Sequence, residues 1–231
     1  MTSTTQAPLP RRRVLSELDS RKLLENYGIP LVPARSASSA AEAAAAARQF
    51  GFPVVLKGVG EKLAHKTEAG VVRLDLRSEA EVEAAYAEIA ARAGDRLQTV
   101  LVQPMVRSER EFVAGLTRDA QFGPCVMFGL GGIFTEALKD VAFRVAPLEE
   151  RDALEMLSDI RARRLLDEVR GKPAADRAAL AGILRALGRL GIERPEVAEV
   201  DLNPILLDGP KPVAVDALIV LDETETPARA H

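Results

Sequence analysis

Apolar and polar positions along this chain switch repeatedly between a helical period and a strand period, and Gly, Pro and capping residues mark the switches. Ser16 followed by Asp19, with Gly28 and Pro30 closing the segment, predicts a helix over 16–27. A short strand, Ile29–Pro33, is expected next. Ser39 with Glu42 opens an alanine-rich helix that stops at Gly51, and Pro53-Val54-Val55-Leu56-Lys57 reads as a buried strand. Val71–Leu76 is a further strand, Ser78 with Glu81 opens a helix that ends at Gly94, and Thr99–Met105 is a strand again. The second half predicts strands near 111–117, 124–130 and 141–146, helices near 149–158 and 174–190, and closing strands near 197–207 and 212–221.

Helices and strands are mixed throughout, but their alternation is irregular and the second half runs strands consecutively, unlike a doubly wound parallel fold. This pattern predicts an α+β protein of two lobes. Gln103-Pro104 is the expected crossover, because proline cannot continue a strand's hydrogen-bond ladder. The lobes are then 14–103 and 104–223, flanked by loose, polar tails at 1–13 and 224–231.

Composition narrows the function classes. With 231 residues, 47% of them hydrophobic, the chain can bury a sizeable core. Lys and Arg total 31 against 34 Asp and Glu, a formal charge of -3. No basic excess points to nucleic acid or an anionic membrane surface, so any anion site must be local. Cys125 is the single cysteine, which excludes a disulfide framework or cysteine metal cluster within the chain. Neither a run of about 20 apolar residues nor a signal-like N-terminus is found, so a soluble cytoplasmic protein is expected.

Lys57 ends an otherwise apolar strand, where an ammonium is costly unless it meets an anion or reaches solvent. A nucleotide phosphate meets that need; so does water, if the side chain snorkels. The segment 58–71 that follows holds Gly58, Gly60, Gly70, Lys62, Lys66 and the chain's only internal histidine, His65. Glycines let backbone N–H groups approach oxyanions, and the two lysines can offset a polyphosphate's charge. It is not a Walker A loop, since the Gly-Lys-Ser/Thr ending is missing. His65 is either a surface histidine or, since neutral imidazole is a good nucleophile near pH 7, a phosphoryl carrier.

Two further segments carry candidate chemistry. In Gln103-Pro104-Met105 with Glu109 and Glu111, a strand-edge backbone can read an adenine edge, Met105 can cover its face, and a carboxylate can accept from ribose hydroxyls; an ordinary acidic hairpin is the other reading. In Glu199-Val200-Asp201-Leu202-Asn203-Pro204, period-two spacing puts Glu199, Asp201 and Asn203 on one strand face, a short hairpin from Asp216. Such oxygen ligands suit Mg²⁺, which takes one or two carboxylates and leaves the rest to phosphates and water; a solvated strand face is the other reading, against which the flanking Ile205, Leu206 and Leu207 argue for partial burial. The glycine-rich Phe128–Glu136 lacks dinucleotide-motif spacing, and the roles of nearby Asp140 and Arg144 stay open.

Taken together, Val54-Val55-Leu56-Lys57, His65-Lys66-Thr67-Glu68-Ala69-Gly70-Val71, Phe122–Gly132 and Glu199–Pro204 resemble the ATP-grasp module of the ADP-forming acyl-CoA synthetases, over roughly 14–222. The resemblance implies an ATP-grasp fold with ATP or ADP in the cleft between the lobes, and a reaction linking acyl-CoA, phosphate and ADP to free acid, CoA and ATP. It implies Lys57 as a phosphate contact, His65 as a phosphohistidine with Asp201 beside it, Glu111 as a nucleotide ligand, and Asn203 and Asp216 as holders of Mg²⁺. Gly70, Gln103, Met105 and Glu109 complete the expected nucleotide site. The chain departs from the family where Gly58-Val59-Gly60-Glu61 and Ala69-Gly70 replace the usual Ser-Pro before and Gly-Gly after the histidine. No CoA-binding domain follows, so a separate α subunit is expected to supply CoA and acyl chemistry. Two alternatives remain: another ATP-grasp carboxylate ligase, which has no need of His65, and a non-catalytic nucleotide-sensing regulatory subunit.

Overall fold

The structure, a computed structural model, describes residues 11–60, 63, 70–132 and 139–223. His65 and most of its loop, and the segments 1–10, 133–138 and 224–231, lie outside the described residues. Two sheets carry the fold, and every strand ladder among the described residues is antiparallel.

The smaller sheet has the order β2-β5-β3-β4, from β2 (Arg35–Ala37), β3 (Val54–Val59), β4 (Val72–Leu76) and β5 (Thr99–Pro104). Two helices pack on it, α2 (Ala40–Phe50) and α3 (Glu79–Ala93). Their starts follow the expected caps: Ser39 Oγ accepts from Glu42 N at 3.2 Å and Ser78 Oγ from Glu81 N at 3.3 Å. Ala43, Ala47, Val82 and Ile89 bury against Val54, Leu56, Val100 and Val102. Because side chains alternate across a strand, Val55, Lys57 and Gln103 face the other way, toward the second lobe.

The larger sheet has the order β1-β11-β9-β6-β7-β8, with β10 also paired to β9. Its strands are β1 (Arg11–Val14), β6 (Glu111–Asp119), β7 (Gly123–Leu130), β8 (Val141–Val145), β9 (Val197–Asp208), β10 (Lys211–Ala214) and β11 (Leu218–Glu223). Helices α1 (Glu17–Asn26), α4 (Glu150–Asp159) and α5 (Arg177–Glu193) accompany it. Phe112 and Phe128, stacked at 5.6 Å between centroids, join Met156, Leu157, Leu184 and Leu187 in its core.

The structure redraws the expected organisation in four places. Leu24 and Ile29 bury in the large-sheet core and Arg11–Val14 pair with β11, so the chain's beginning joins the second lobe, and the small sheet starts only at Arg35. Arg11–Arg13, expected in a loose tail, are thus a strand, with Arg12 facing Asp222 at 3.4 Å. Ile29–Pro33 forms no strand: Pro30 and Pro33 have no N–H to donate, and only the bridge Leu31 to Ala214 remains. The single strand expected at 212–221 is broken at Val215–Ala217, because β10 and β11 pair with different stretches of β9.

The Phe112–Phe128 stack yields a stability prediction. Phe128→Ala should cost about 3–5 kcal/mol, read as a fall in the urea midpoint at unchanged slope. A loss below about 1 kcal/mol would show that the core around the stack collapses to fill the gap.

Candidate functional site

A cavity of about 590 Å³ lies between the two sheets, within the range for small-molecule sites. Its roof comes from the small sheet: Val55, Lys57, Val72, Leu74 and Gln103. The connection Pro104–Glu109, with Glu111, forms one wall, and Asn203, Pro204, Leu206, Val215 and Asp216 form the floor. Seven expected nucleotide and metal residues, Lys57, Gln103, Met105, Glu109, Glu111, Asn203 and Asp216, therefore meet in one cleft although they span more than half the chain.

Local chain geometry explains each placement. The strand β5 continues through Pro104, and Met105 N still donates to Pro53 O at 3.0 Å before the chain leaves for the second lobe. Glu111 starts β6, where Gly131 N donates to its carbonyl at 2.8 Å. A Cβ on Gly131 would come within 3.0 Å of the backbone of Glu111 and Phe112, so only glycine permits that approach. The break between β10 and β11 brings Asp216 beside Asn203-Pro204, since Val215 N donates to Pro204 O at 3.1 Å.

The cleft has an ionic end and an apolar end. Lys57 is 6% exposed, and its Nζ donates to Val215 O at 2.6 Å and lies 3.4 Å from Glu17 Oε1 and 3.6 Å from Asp216 Oδ1. An ammonium out of water needs such anionic company. Val55, Val72, Met105 and Leu206 line the apolar part, with Leu74, a leucine 62% exposed, at its edge. Gln103 is 2% exposed, and its Nε2 has no hydrogen-bond partner among the described residues. Glu109 is exposed and pairs with Lys172 at 2.5 Å; that hydrogen bond first, and the lysine's charge second, hold its carboxyl below the ordinary range.

The remaining expected residues lie elsewhere. Asp201 is on the same face of β9 as Asn203, two residues along, opposite Gly115 and Leu218, and does not line the cleft. Burial first, then the like charges of Glu199 and Asp216, push its carboxyl up to about 6. Gly70 sits in a turn at φ 65°, packed against Arg92 with its carbonyl accepting from Arg73 at 2.9 Å, and is not part of the cleft wall. His65 falls outside the described residues. The sequence reading missed Glu17 and Arg21 on α1, both buried, and Lys172 and Arg107 at the cleft mouth. A carboxylate at the first helical position was the available signal for Glu17, but the cap reading already accounted for that segment.

Among the described residues no group of three or more His, Cys, Asp or Glu is arranged to hold a metal by itself. Asn203 and Asp216 offer one amide oxygen and one carboxylate on the cleft floor. That donor set fits Mg²⁺, which keeps several waters and takes other ligands from substrate phosphates.

Comparison with known proteins gives a consistent picture. Residues 6–221 match the family model described as an ATP-grasp domain. The chain is 40% identical over 214 residues to the β subunit of acetate–CoA ligase [ADP-forming] I of Pyrococcus furiosus, covering 90% of this chain and 92% of that one. It is 41% identical over 206 residues to acetate–CoA ligase [ADP-forming] I of Archaeoglobus fulgidus, where the match covers 87% of this chain but 30% of the longer relative. Among solved structures it is similar to the Ca. Korarchaeum cryptofilum dinucleotide-forming acetyl-coenzyme A synthetase 1 in complex with coenzyme A and Mg-AMPPCP. That match has a TM-score of 0.79 and 43% identity, over 90% of this chain and 93% of that one.

Asp201 gives the site a pH signature. A carboxyl whose folded pKa is raised contributes stability that is complete below its unfolded value and is lost as pH rises through about 6. In magnesium-free buffer, Asp201→Asn should therefore gain about 1–3 kcal/mol on the wild type between pH 4 and 7.5. Urea midpoints at four pH values measure it; a difference that stays constant with pH would contradict the assignment.

Proposed function

The chain belongs to the ATP-grasp family, among the β subunits of ADP-forming acetate–CoA ligases, and on that premise we propose that its interlobe cleft binds Mg-ATP or Mg-ADP while His65 carries the phosphoryl group. The relatives are acid–thiol ligases. The observation that carries the reading is the gathering of Lys57, Asn203 and Asp216 at one end of a cleft whose other part is apolar. A nucleotide has the same division, with a flat apolar base and a charged polyphosphate.

The base would lie against Val55, Met105 and Leu206, with the backbone around Gln103–Met105 available to its polar edge and the carboxylates of Glu109 or Glu111 to the ribose hydroxyls. Lys57 contacts the phosphates. Asn203 and Asp216 hold the magnesium ion, which when bound neutralises phosphate oxygens. In the transfer, one ring nitrogen of His65 attacks the γ-phosphorus. The new P–N bond forms as the bond to the β-phosphate oxygen breaks, and ADP leaves with the bonding electrons. Asp201, next to the cleft on β9, accepts from the other ring N–H and fixes the tautomer that leaves the attacking nitrogen unprotonated. Positioning and charge neutralisation supply most of the rate, because a loose phosphoryl transition state needs little covalent help.

The acyl and CoA chemistry belongs to a partner. The long Archaeoglobus relative has room for that part in the same chain, whereas the Pyrococcus relative is named as a β subunit of about this chain's length. A partner surface is available beside the site: Asp201, Gly115, Met127 and Phe143 form one cross-strand row on the sheet face opposite the core, and Phe143 is 53% exposed. We place the assembly in the cytoplasm with its substrates ATP and CoA. Among the described residues no helix is long and apolar enough to cross a membrane.

The central test is covalent labelling. His65→Ala should abolish acid-labile phosphate incorporation from γ-labelled ATP and leave the affinity for ADP within about twofold. Undiminished acid-labile labelling would remove His65 from the mechanism.

A further inference from the structure

Glu17 is the first residue of α1, and its carboxylate has no accessible surface. It does not serve as the helix cap, since Ser16 Oγ takes the Asp19 N–H at 3.2 Å. Helix α1 packs with the large lobe through Leu24, yet Glu17 Oε1 lies 3.4 Å from Nζ of Lys57, which belongs to the small sheet. The pair therefore crosses between the lobes. One helical turn further, the buried Arg21 guanidinium donates to Val32 O and adds its charge to the field at Glu17. Burial lowers the Arg21 pKa, a shift that Glu17 opposes most among its charged neighbours.

We infer that Glu17 is a positioning residue that acts through Lys57: it is the permanent counter-charge that holds this ammonium at the phosphate end of the cleft and ties the two lobes at that point. The inference rests on the nucleotide reading of the cleft. An ammonium has three protons to place. Val215 O takes one at 2.6 Å and Glu17 lies near a second, so a third remains for the cleft that Lys57 lines. Among the described residues two carboxylates face Lys57, but they are not equivalent. Asp216 is 36% exposed and lines the cavity, where a bound cation competes for it; Glu17 is sealed from both nucleotide and metal. Among the described residues, only Glu17 can offset Lys57 in the empty and the loaded cleft alike. Removing its charge leaves an ammonium that is 6% exposed with a carbonyl and a shared carboxylate, which favours other side-chain positions and a different spacing of the lobes.

The test is a double-mutant cycle on Mg-ADP binding to the full chain, measured by calorimetry in wild type, Glu17→Gln, Lys57→Met and the double variant. Glu17→Gln should weaken ADP binding about tenfold when Lys57 is present and less than about twofold in the Lys57→Met background. A purely structural role would lower affinity by the same factor in both backgrounds, and that result overturns the inference. Glu17→Asp keeps the charge at shorter reach and serves if Glu17→Gln folds poorly. It should lose about threefold to fivefold, again only with Lys57 present, and equal loss in both backgrounds overturns the inference just as well. Absence of ADP binding by the wild-type chain overturns the cleft reading and this inference with it, whereas wild-type binding with additive losses overturns this inference alone.

Discussion

One charge placed out of water organises this molecule. Lys57 lies within β3, an otherwise apolar strand of the small lobe that runs on to Val59, and is 6% exposed, so its ammonium must find anions or carbonyls within reach of a few ångströms. None of the partners identified comes from its own sheet: Glu17 belongs to α1, and Val215 and Asp216 belong to the break between β10 and β11. Satisfying one side chain thus draws the small sheet toward the large one along the line where the cleft forms. On the proposed nucleotide reading, a phosphate entering there meets a cation already positioned, so little reorganisation remains at the moment of transfer.

The large sheet supplies the other half by being irregular where function needs it. A continuous strand over 212–221 would have committed the Val215 carbonyl and Asp216 to a ladder. Because β10 pairs with Ile205–Asp208 and β11 with Val197–Asp201, the residues between them are released to face Lys57 and the cavity. The helices cover one face of this sheet with Phe112, Phe128 and Leu187, and the opposite face presents Glu199, Asp201 and Asn203 in alternation with buried Val200 and Leu202. Burial first, then the charges of Glu199 and Asp216, raise the Asp201 pKa, and the same negative field favours a cation at Asn203 and Asp216.

Much of this was legible in the residues, for local reasons. Ser39 with Glu42 and Ser78 with Glu81 located two helix starts to within a residue, because a cap satisfies backbone donors within its own turn. Period-two spacing put Glu199, Asp201 and Asn203 on one face of β9, as the strand shows. What escaped depends on distant partners. Arg11–Val14 becomes a strand only by pairing with Val220–Glu223 at the far end of the chain, and no local pattern announces that. Glu17 reads as an ordinary first-turn acid until Lys57, 40 residues on, is placed against it. Gly70 was drawn into the nucleotide site by its neighbours in sequence, yet its positive φ serves the turn that starts β4.

The central claim is that a nucleotide binds between the lobes and touches both. Amide hydrogen exchange with and without Mg-ADP measures this directly. The account predicts slower exchange on both lobes together, over Val55–Gly58 in the small lobe, Met105–Glu111 in the connection and Leu202–Ala217 in the large lobe, with the outer faces of α2 and α3 unchanged. Protection confined to one lobe, or located away from these segments, would contradict it.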